Sequence, residues 1–529
     1  MLLTSRSHFL YFRRTGGQQG LLYIESHDIL RANTLNLNDT HKRALVAAFL
    51  VVPLVVSMIF LSSATSAFSP KSVSTSGIVN YWPQVDVSVN PSRVLGINNL
   101  SLGHMLEFDW SSWRDNAGLR QLTQNAGFRL IRIFSHRVET CTHWDDSAGS
   151  GSFVWSQVDL LIQRIFDVGA EPLICLGYCA FGSIILPPGM TLNSTSGLPF
   201  QASWAAYCQE WVKHFEQTGK NIRFYEILNE PWMYFGWNDY AKIANYMGVF
   251  NAAALAMRTE NPNVLLGFDG ANRKPVLNYW LSHGGAELGF ISFHKYDSGA
   301  IGQYSDAQIF ARAEQFQMTT DPGGPESGYY GIDGARQMYY SSRGKQVLII
   351  NSESNFDSAW SSGTDPKMQQ MAGAVWLALA LRTGVVDGLD YNVYFTFSSS
   401  RSWETSNKPS GGAGFGMINS DNSKPWYPYY VQSMLGQALH SGDAIVESNS
   451  SSDDVRVLSW IHDNTTNILL ICKVDQTRAV DIVGQFNQFN ATWVDNTVSW
   501  LTPETQSNSI NPRHSIIVNG YTVLLLQST

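Results

Sequence analysis

Short apolar runs alternate along this chain with longer stretches whose apolar positions recur every three or four residues. The runs at 94–97, 128–134, 172–176, 224–228, 264–268, 290–293, 347–350 and 389–394 are nearly continuous, the pattern of strands buried on both faces of a parallel sheet. Between them, "WSQVDLLIQRIFDVG", "WAAYCQEWVKHFEQTG", "YAKIANYMGVFNAAALAMRTENP", "SDAQIFARAEQF" and "KMQQMAGAVWLALALRTG" carry the helical period, and several stop at a Gly or at a Pro. Eight such strand–helix units predict an α/β fold, a TIM (β/α)8 barrel with enlarged loops, over residues 90–436. Over 437–529 the texture changes to short alternating strands, Asn/Ser/Asp turns and no long helix, which predicts a C-terminal antiparallel β-sandwich. Residues 68–89 read as a linker and a strand that joins that sandwich. No repeat of solenoid length and no extended low-complexity tract interrupts the pattern.

Near the N-terminus, "KRALVAAFLVVPLVVSMIFLSSATSAFSP" joins Lys42 and Arg43 to an unbroken apolar run, 44–61, and then to small residues ending at Ala67. A segment of this kind, 44–67, directs export. It reads either as a signal peptide cleaved after the small residues or as a retained signal-anchor helix, and the long leader 1–43 favours the anchor. With an anchor, 1–43 stays cytoplasmic, the membrane is a partner, and the rest of the chain is extracellular or on the cell surface. The triplets starting at Asn99, Asn193, Asn449, Asn464 and Asn490 fit the glycosylation pattern and agree with export. Cys141, Cys175, Cys179, Cys208 and Cys472 show no paired metal spacing, and Cys141 with Cys179 is the pairing left open as a disulfide.

With 529 residues, 44% hydrophobic and 15% charged, the chain is long and apolar enough for one large domain and a smaller one. A net charge of -8 gives no basic field for a phosphate backbone and excludes nucleic acid as a partner. No GxSxG elbow, Walker loop or HExxH occurs, and "GGAGFG" at 411–416 follows the eighth predicted strand instead of opening a dinucleotide-binding unit.

A TIM barrel presents its reactive groups at the C-terminal ends of its strands. "FYEILNEPWMYFGW", 224–237, delivers Glu230 two residues past the fourth predicted strand, and "KQVLIINSESNFD" delivers Glu353 past the seventh. Strands four and seven face each other across a barrel mouth, so two carboxyl groups meet there over one bond. Paired carboxyls suit glycosidic cleavage: one protonates the leaving oxygen while the other attacks the anomeric carbon or activates water. A surface loop acid at Glu230 and a helix N-terminal acid at Glu353 are the structural alternatives. Trp232 and Trp237 beside the acid offer rings on which sugar C–H faces stack, with core packing as the rival account. Arg137, Lys295 and Arg401 follow strands two, six and eight, where a base pairs with a uronate or stays exposed and solvated. This chemistry requires no metal and no organic cofactor.

"YEILNEP" followed by "FGWNDYAKIANYMGVFNAAALAMRTENPNVLLGFDG", then "FISFHKY", "LIINSESN" and "GGAGFGMINSDNSKPWYPYYVQSMLG", resembles the clan A retaining glycoside hydrolases, the four/seven superfamily. Within the clan the chain is most similar, over roughly residues 90–440, to glycoside hydrolase family 39, the β-xylosidase and α-L-iduronidase group. The resemblance implies hydrolysis of O-glycosidic bonds in oligo- or polysaccharides by double displacement, with Glu230 as acid/base and Glu353 as nucleophile. It implies that Asn229 binds the sugar 2-hydroxyl and that Arg132 of "LIRIF" hydrogen-bonds the nucleophile. His294 and Tyr296 of "SFHKY" would line the site, Tyr296 orienting the nucleophile. Two positions depart from the family pattern: Phe395 of "YFTF" replaces the usual Trp, and Trp232 replaces the usual Asn after the acid. An endo-β-glucanase of the same clan and a catalytically inactive surface carbohydrate-binding protein are the competing readings; an open cleft marks the first, and loss of a carboxyl from the mouth marks the second.

Overall fold

Eight parallel strands form a ring: β1 (Ser101–Leu106), β2 (Leu130–Phe134), β3 (Glu171–Ala180), β4 (Phe224–Asn229), β5 (Leu265–Gly267), β6 (Phe290–Ser298), β7 (Leu348–Asp357) and β8 (Tyr391–Tyr394). Their order is β5-β4-β3-β2-β1-β8-β7-β6. The ring nearly closes between β5 and β6, where a bridge between Asp269 and Ser292 is flanked by backbone hydrogen bonds from Gly270 to Ser292 (3.0 Å) and from Gly289 to Leu266 (2.8 Å). Helices follow the strands and cover the ring, as right-handed strand–helix–strand units require. Several start on side-chain caps: Asn116 for Ala117–Asn125, Asp239 for Tyr240–Glu260, and a Ser305–Gln308 capping box for Asp306–Ala313. The computed structural model describes residues 8–13, 19–24 and 82–529, apart from 108, 139, 181–182, 316–327, 360–364, 400–413, 498–505 and 511–514. The apolar segment 44–67 and Arg401 lie outside the described residues. In the unit Met1–Asn80 the described part is an antiparallel hairpin, His8–Arg13 with Gln19–Ile24.

The first barrel strand is not where the apolar run 94–97 points. That run ends the strand Gln84–Ile97, whose Ile97 pairs with Ala444 in the C-terminal sheet, and Val94, Leu95 and Ile97 are more than half exposed. The true β1, "SLGHML", hides its strand character behind Gly103 and His104. A Cβ on Gly103 would stand 2.8 Å from the Leu130 carbonyl oxygen, so close strand packing requires glycine there. His104 is fully buried against the rings of Phe128 and Phe397. At the other extreme, β6 and β7 run on well beyond their apolar cores, through "HKYDS" and "NSESNFD", and every residue of those extensions is buried.

The C-terminal domain is one nine-stranded sheet that folds around its own core. Its pairs are antiparallel except one: Arg478–Val483 runs parallel to Gln84–Ile97, so the domain is mixed, not wholly antiparallel. The parallel pair arises because the strand that precedes the barrel is inserted among strands that follow it. In Thr465–Cys472 the side chains of Ile468, Leu470 and Cys472 enter the sheet's own core, while Leu469 and Ile471 join the barrel's apolar cluster. Helix Met371–Val386 packs against both parts, which is why apolar residues surround it on all sides. Both parts belong to one compact unit, Tyr81–Thr529.

All five cysteines are free and buried, Cys141 and Cys179 included. Asn99, Asn449, Asn464 and Asn490 are exposed and Asn193 is half-buried. Among the described residues, no helix is long and apolar enough to cross a membrane.

Candidate active site

Backbone irregularities at two strand ends set the geometry of the barrel mouth. Leu228 near the end of β4 and Glu230 just past it adopt positive φ (62° and 48°), the region that non-glycine residues avoid. Opposite Leu228 stands Gly177 of β3, also at positive φ (75°); a Cβ there would lie 2.7 Å from the Leu228 side chain. The distortion breaks simple alternation, so consecutive residues Asn229 and Glu230 both reach the cavity. In β7 the register against β6 slips by one residue: Phe293 faces Asn351, and His294 faces Glu353. That bulge turns Glu353 into the mouth. Strain of this kind costs on the order of 1–3 kcal/mol per residue and persists where the surroundings over-determine it.

Arg132, with no exposed surface, supplies that determination. Its Nε donates to Glu226 Oε2 (2.6 Å), one Nη to Glu353 Oε1 (2.6 Å) and the other to Asn229 Oδ1 (2.8 Å). Tyr296 donates its hydroxyl to Glu353 Oε2 (2.8 Å), and Ser292 donates to Glu226 Oε1 (2.6 Å). Burial works against charge on Glu226, yet Arg132 and Ser292 outweigh it and hold its carboxyl below the ordinary range. A guanidinium shared by two carboxyl groups fixes both planes, and with the Tyr296 hydroxyl it holds Glu353 in one orientation.

His294 links the two glutamates predicted to do the chemistry. Its Nδ1 lies 3.1 Å from Glu230 Oε1 and 3.4 Å from Glu353 Oε2, so those oxygens are no further apart than the sum of the two distances, 6.5 Å. The same nitrogen lies 3.6 Å from Oδ2 of Asp269, which follows β5 and is buried. Burial opposes the imidazolium, but Asp269, Glu353 and Glu230 together raise His294 to about 9. Asp269 itself is pushed up to about 7, chiefly by burial, against the pull of His294.

The cavity above these groups has a volume of about 400 Å³ and is lined by Glu107, Phe134, Arg137, Tyr178, Asn229, Glu230, Trp232, Met233, Tyr296, Glu353, Ser358, Phe395 and Phe415. Of the predicted residues, Glu230, Glu353, Asn229, Tyr296, Trp232 and Phe395 line it, with Arg132 and His294 hydrogen-bonded to its carboxyls. Trp237 sits apart, edge-on to Tyr329 and 4.9 Å from the Arg273 guanidinium, which also covers Trp232 at 4.5 Å. Lys295 is not the exposed base considered above. It is buried on the outer side of β6, donating to Asp297 (2.9 Å) and to the carbonyls of Arg312 and Gln315. Sequence reasoning passed over Glu107, Glu226, Asp269, Tyr178 and Phe415. Glu226, four residues before Glu230 on an otherwise apolar strand, was a readable signal: an acid there has to be buried and paired. Glu107 and Asp269 follow the weakest strands and carried no such signal.

No family model matches the sequence, and no curated protein matches it either. Solved structures do. A monomeric β-xylosidase from Caulobacter crescentus CB15 superposes with a TM-score of 0.57 at 15% identity, covering 84% of this chain and 99% of its own. An α-L-arabinofuranosidase from Thermotoga maritima gives 0.57 at 12% identity, over 84% and 99%. A GH30 endoxylanase from Clostridium papyrosolvens C71 gives 0.53 at 12% identity, over 84% and 100%. The chain therefore has the fold of the clan A glycoside hydrolases.

Proposed function

We propose that this protein is a retaining glycoside hydrolase acting on oligo- or polysaccharides, with Glu353 as nucleophile and Glu230 as acid/base. The observation that carries the reading is the single nitrogen of His294 within reach of both carboxyls. The resulting ceiling of 6.5 Å on their oxygen separation sits at the lower edge of the spacing an inverting enzyme uses, about 6.5–9.5 Å, and includes the roughly 5–5.5 Å of a retaining one. Glu353, held by Arg132 and Tyr296, attacks the anomeric carbon as Glu230 protonates the leaving oxygen. Water then cleaves the glycosyl-enzyme with Glu230 as base. Asn229 is placed to meet the 2-hydroxyl, its Oδ1 already oriented by Arg132. Trp232 and Phe395 offer rings to the sugar, whereas Trp237 stands outside the cavity lining, against Tyr329.

Both glutamates stand in the mouth, which favours catalysis over an inactive carbohydrate-binding barrel. We also propose export, with residues 44–67 as signal-anchor or cleaved signal and the exposed acceptor asparagines glycosylated. Proton NMR of the first product formed from an aryl glycoside tests the mechanism. The product is expected to keep the anomeric configuration of the substrate, and Glu353→Ala is expected to recover turnover with azide while giving the opposite anomer. Inversion by the native enzyme would overturn double displacement.

A further inference from the structure

The cavity holds a third carboxyl. Glu107 directly follows β1, is 7% exposed, and accepts a hydrogen bond from Nη2 of Arg137 at 2.9 Å. Arg137 lies in the short helix Ser135–Val138 after β2, with its side chain 37% exposed. Among the described residues it is the one base lining the cavity. Arg132 lies below, engaged with Glu226, Glu353 and Asn229, and Lys295 is buried on the far side of β6. A ligand thus meets three carboxyl groups and one guanidinium already bound to one of them. Burial raises Glu107 to about 7, with Arg137 opposing the shift.

A sugar carboxylate in this site faces the carboxyl groups of Glu107 and Glu353, with Arg137 as the one base among the described residues that lines the cavity. The guanidinium that would compensate it is already paired with Glu107. A neutral sugar meets better chemistry, because the guanidinium donates to one hydroxyl while the carboxyl accepts from its neighbour. We propose that Glu107 and Arg137 form a specificity-determining pair that reads a vicinal diol of a neutral sugar and excludes uronates. The proposal rests on the glycosidase reading above and names the substrate class of that same site.

The test compares kcat/KM for nitrophenyl xyloside, glucoside and glucuronide in the native enzyme, Glu107→Gln and Arg137→Met. The native enzyme is expected to prefer a neutral glycoside by about 100-fold or more. Glu107→Gln, which leaves the guanidinium without this carboxylate, is expected to narrow that ratio by about tenfold or more, through loss on the neutral sugar and gain on the uronide. Arg137→Met is expected to raise KM for the neutral sugar about tenfold with no gain on the uronide. A native preference for glucuronide, or a ratio unmoved in Glu107→Gln, overturns the pair and leaves the glycosidase reading standing. If Glu107→Gln does not fold, an unchanged KM in Arg137→Met overturns it instead. Failure to hydrolyse any glycoside overturns the glycosidase reading; calorimetric titration of glucose and glucuronate then reads the pair by binding alone, and equal affinities for the two overturn it.

Discussion

Thr465–Cys472 of the C-terminal sheet and β4 of the barrel are both short strands buried on both faces, yet they are built on opposite terms. In the first, strict alternation sends Ile468, Leu470 and Cys472 to one apolar core and Leu469 and Ile471 to another. In the second, alternation fails at Leu228 and at Glu230 just past its end, which adopt positive φ, and Glu226 is buried inside the ring on Arg132. The first kind of strand is held by apolar side chains buried on both of its faces. The second depends on a charge-assisted network in which Arg132 donates to Glu226, Glu353 and Asn229 while Tyr296 donates to Glu353. Burying that many charges adds little stability, because desolvation offsets attraction. What the arrangement provides is position.

Substitutions in the two regions are therefore expected to separate activity from stability. Glu230→Gln keeps the shape of the mouth and removes its acid, so glycosides with poor leaving groups are expected to slow by about 10²–10⁴-fold, while activated aryl glycosides slow far less. Steady-state kinetics on a leaving-group series reads the difference, and equal losses throughout would break the contrast. Leu470→Ala, in the core of the C-terminal sheet, is expected to lower stability by about 2–5 kcal/mol and leave kcat/KM of the folded enzyme unchanged within about twofold. Urea unfolding checks the first half of that statement. A kinetic defect in the folded variant would show that the sheet also positions the site.

How much of this was legible follows the same division. Seven of the eight barrel strands appear as apolar runs, and "NEP" and "NSES" placed Glu230 and Glu353 at their ends. The eighth, β1, failed because Gly103 and His104 hide it, whereas exposed Val94, Leu95 and Ile97 imitate a buried strand. The polar halves of β6 and β7 also escaped, since a period of apolar residues stops where buried polar ones begin. The pairing of Glu107 with Arg137, and of His294 with Asp269, depends on ring closure and bulges that no local pattern encodes.

His294 turns the contrast into a pH dependence. Burial alone would lower it, but Asp269, Glu353 and Glu230 raise it from 6.5 to about 9. A base held above its unfolded value stabilises the folded chain fully below pH 6.5 and loses that contribution as pH rises through about 9. The native protein is thus expected to lose stability over this window by about 3 kcal/mol at most, and His294→Asn to lose less. Leu470→Ala is expected to track the native profile at a constant offset. Urea midpoints at pH 6 and pH 9 decide it: parallel profiles for the native protein and His294→Asn would mean that the imidazole is not held charged by its three neighbours.

The smallest expected effect distinguishes two tryptophans that sequence treats alike. Trp232 lines the cavity, packed over Gly270 of the loop after β5, while Trp237 stands outside the lining against Tyr329 and Gly328. Arg273 covers both rings, so either substitution removes a cation–π contact and costs stability on a similar scale, about 0.5–1 kcal/mol beyond lost packing. Their effects on substrate are expected to differ. Stacking against a sugar face is worth about 1 kcal/mol, so Trp232→Ala should raise KM for a short aryl glycoside several-fold, up to about tenfold, and Trp237→Ala by less than about twofold. Repeating the comparison with an oligosaccharide sharpens it. If Trp237→Ala raises KM only for the longer substrate, the glycan runs past Trp232 onto the outer ring and the site is an open cleft. If it stays silent on both, binding ends at the 400 Å³ cavity and the enzyme removes terminal sugars.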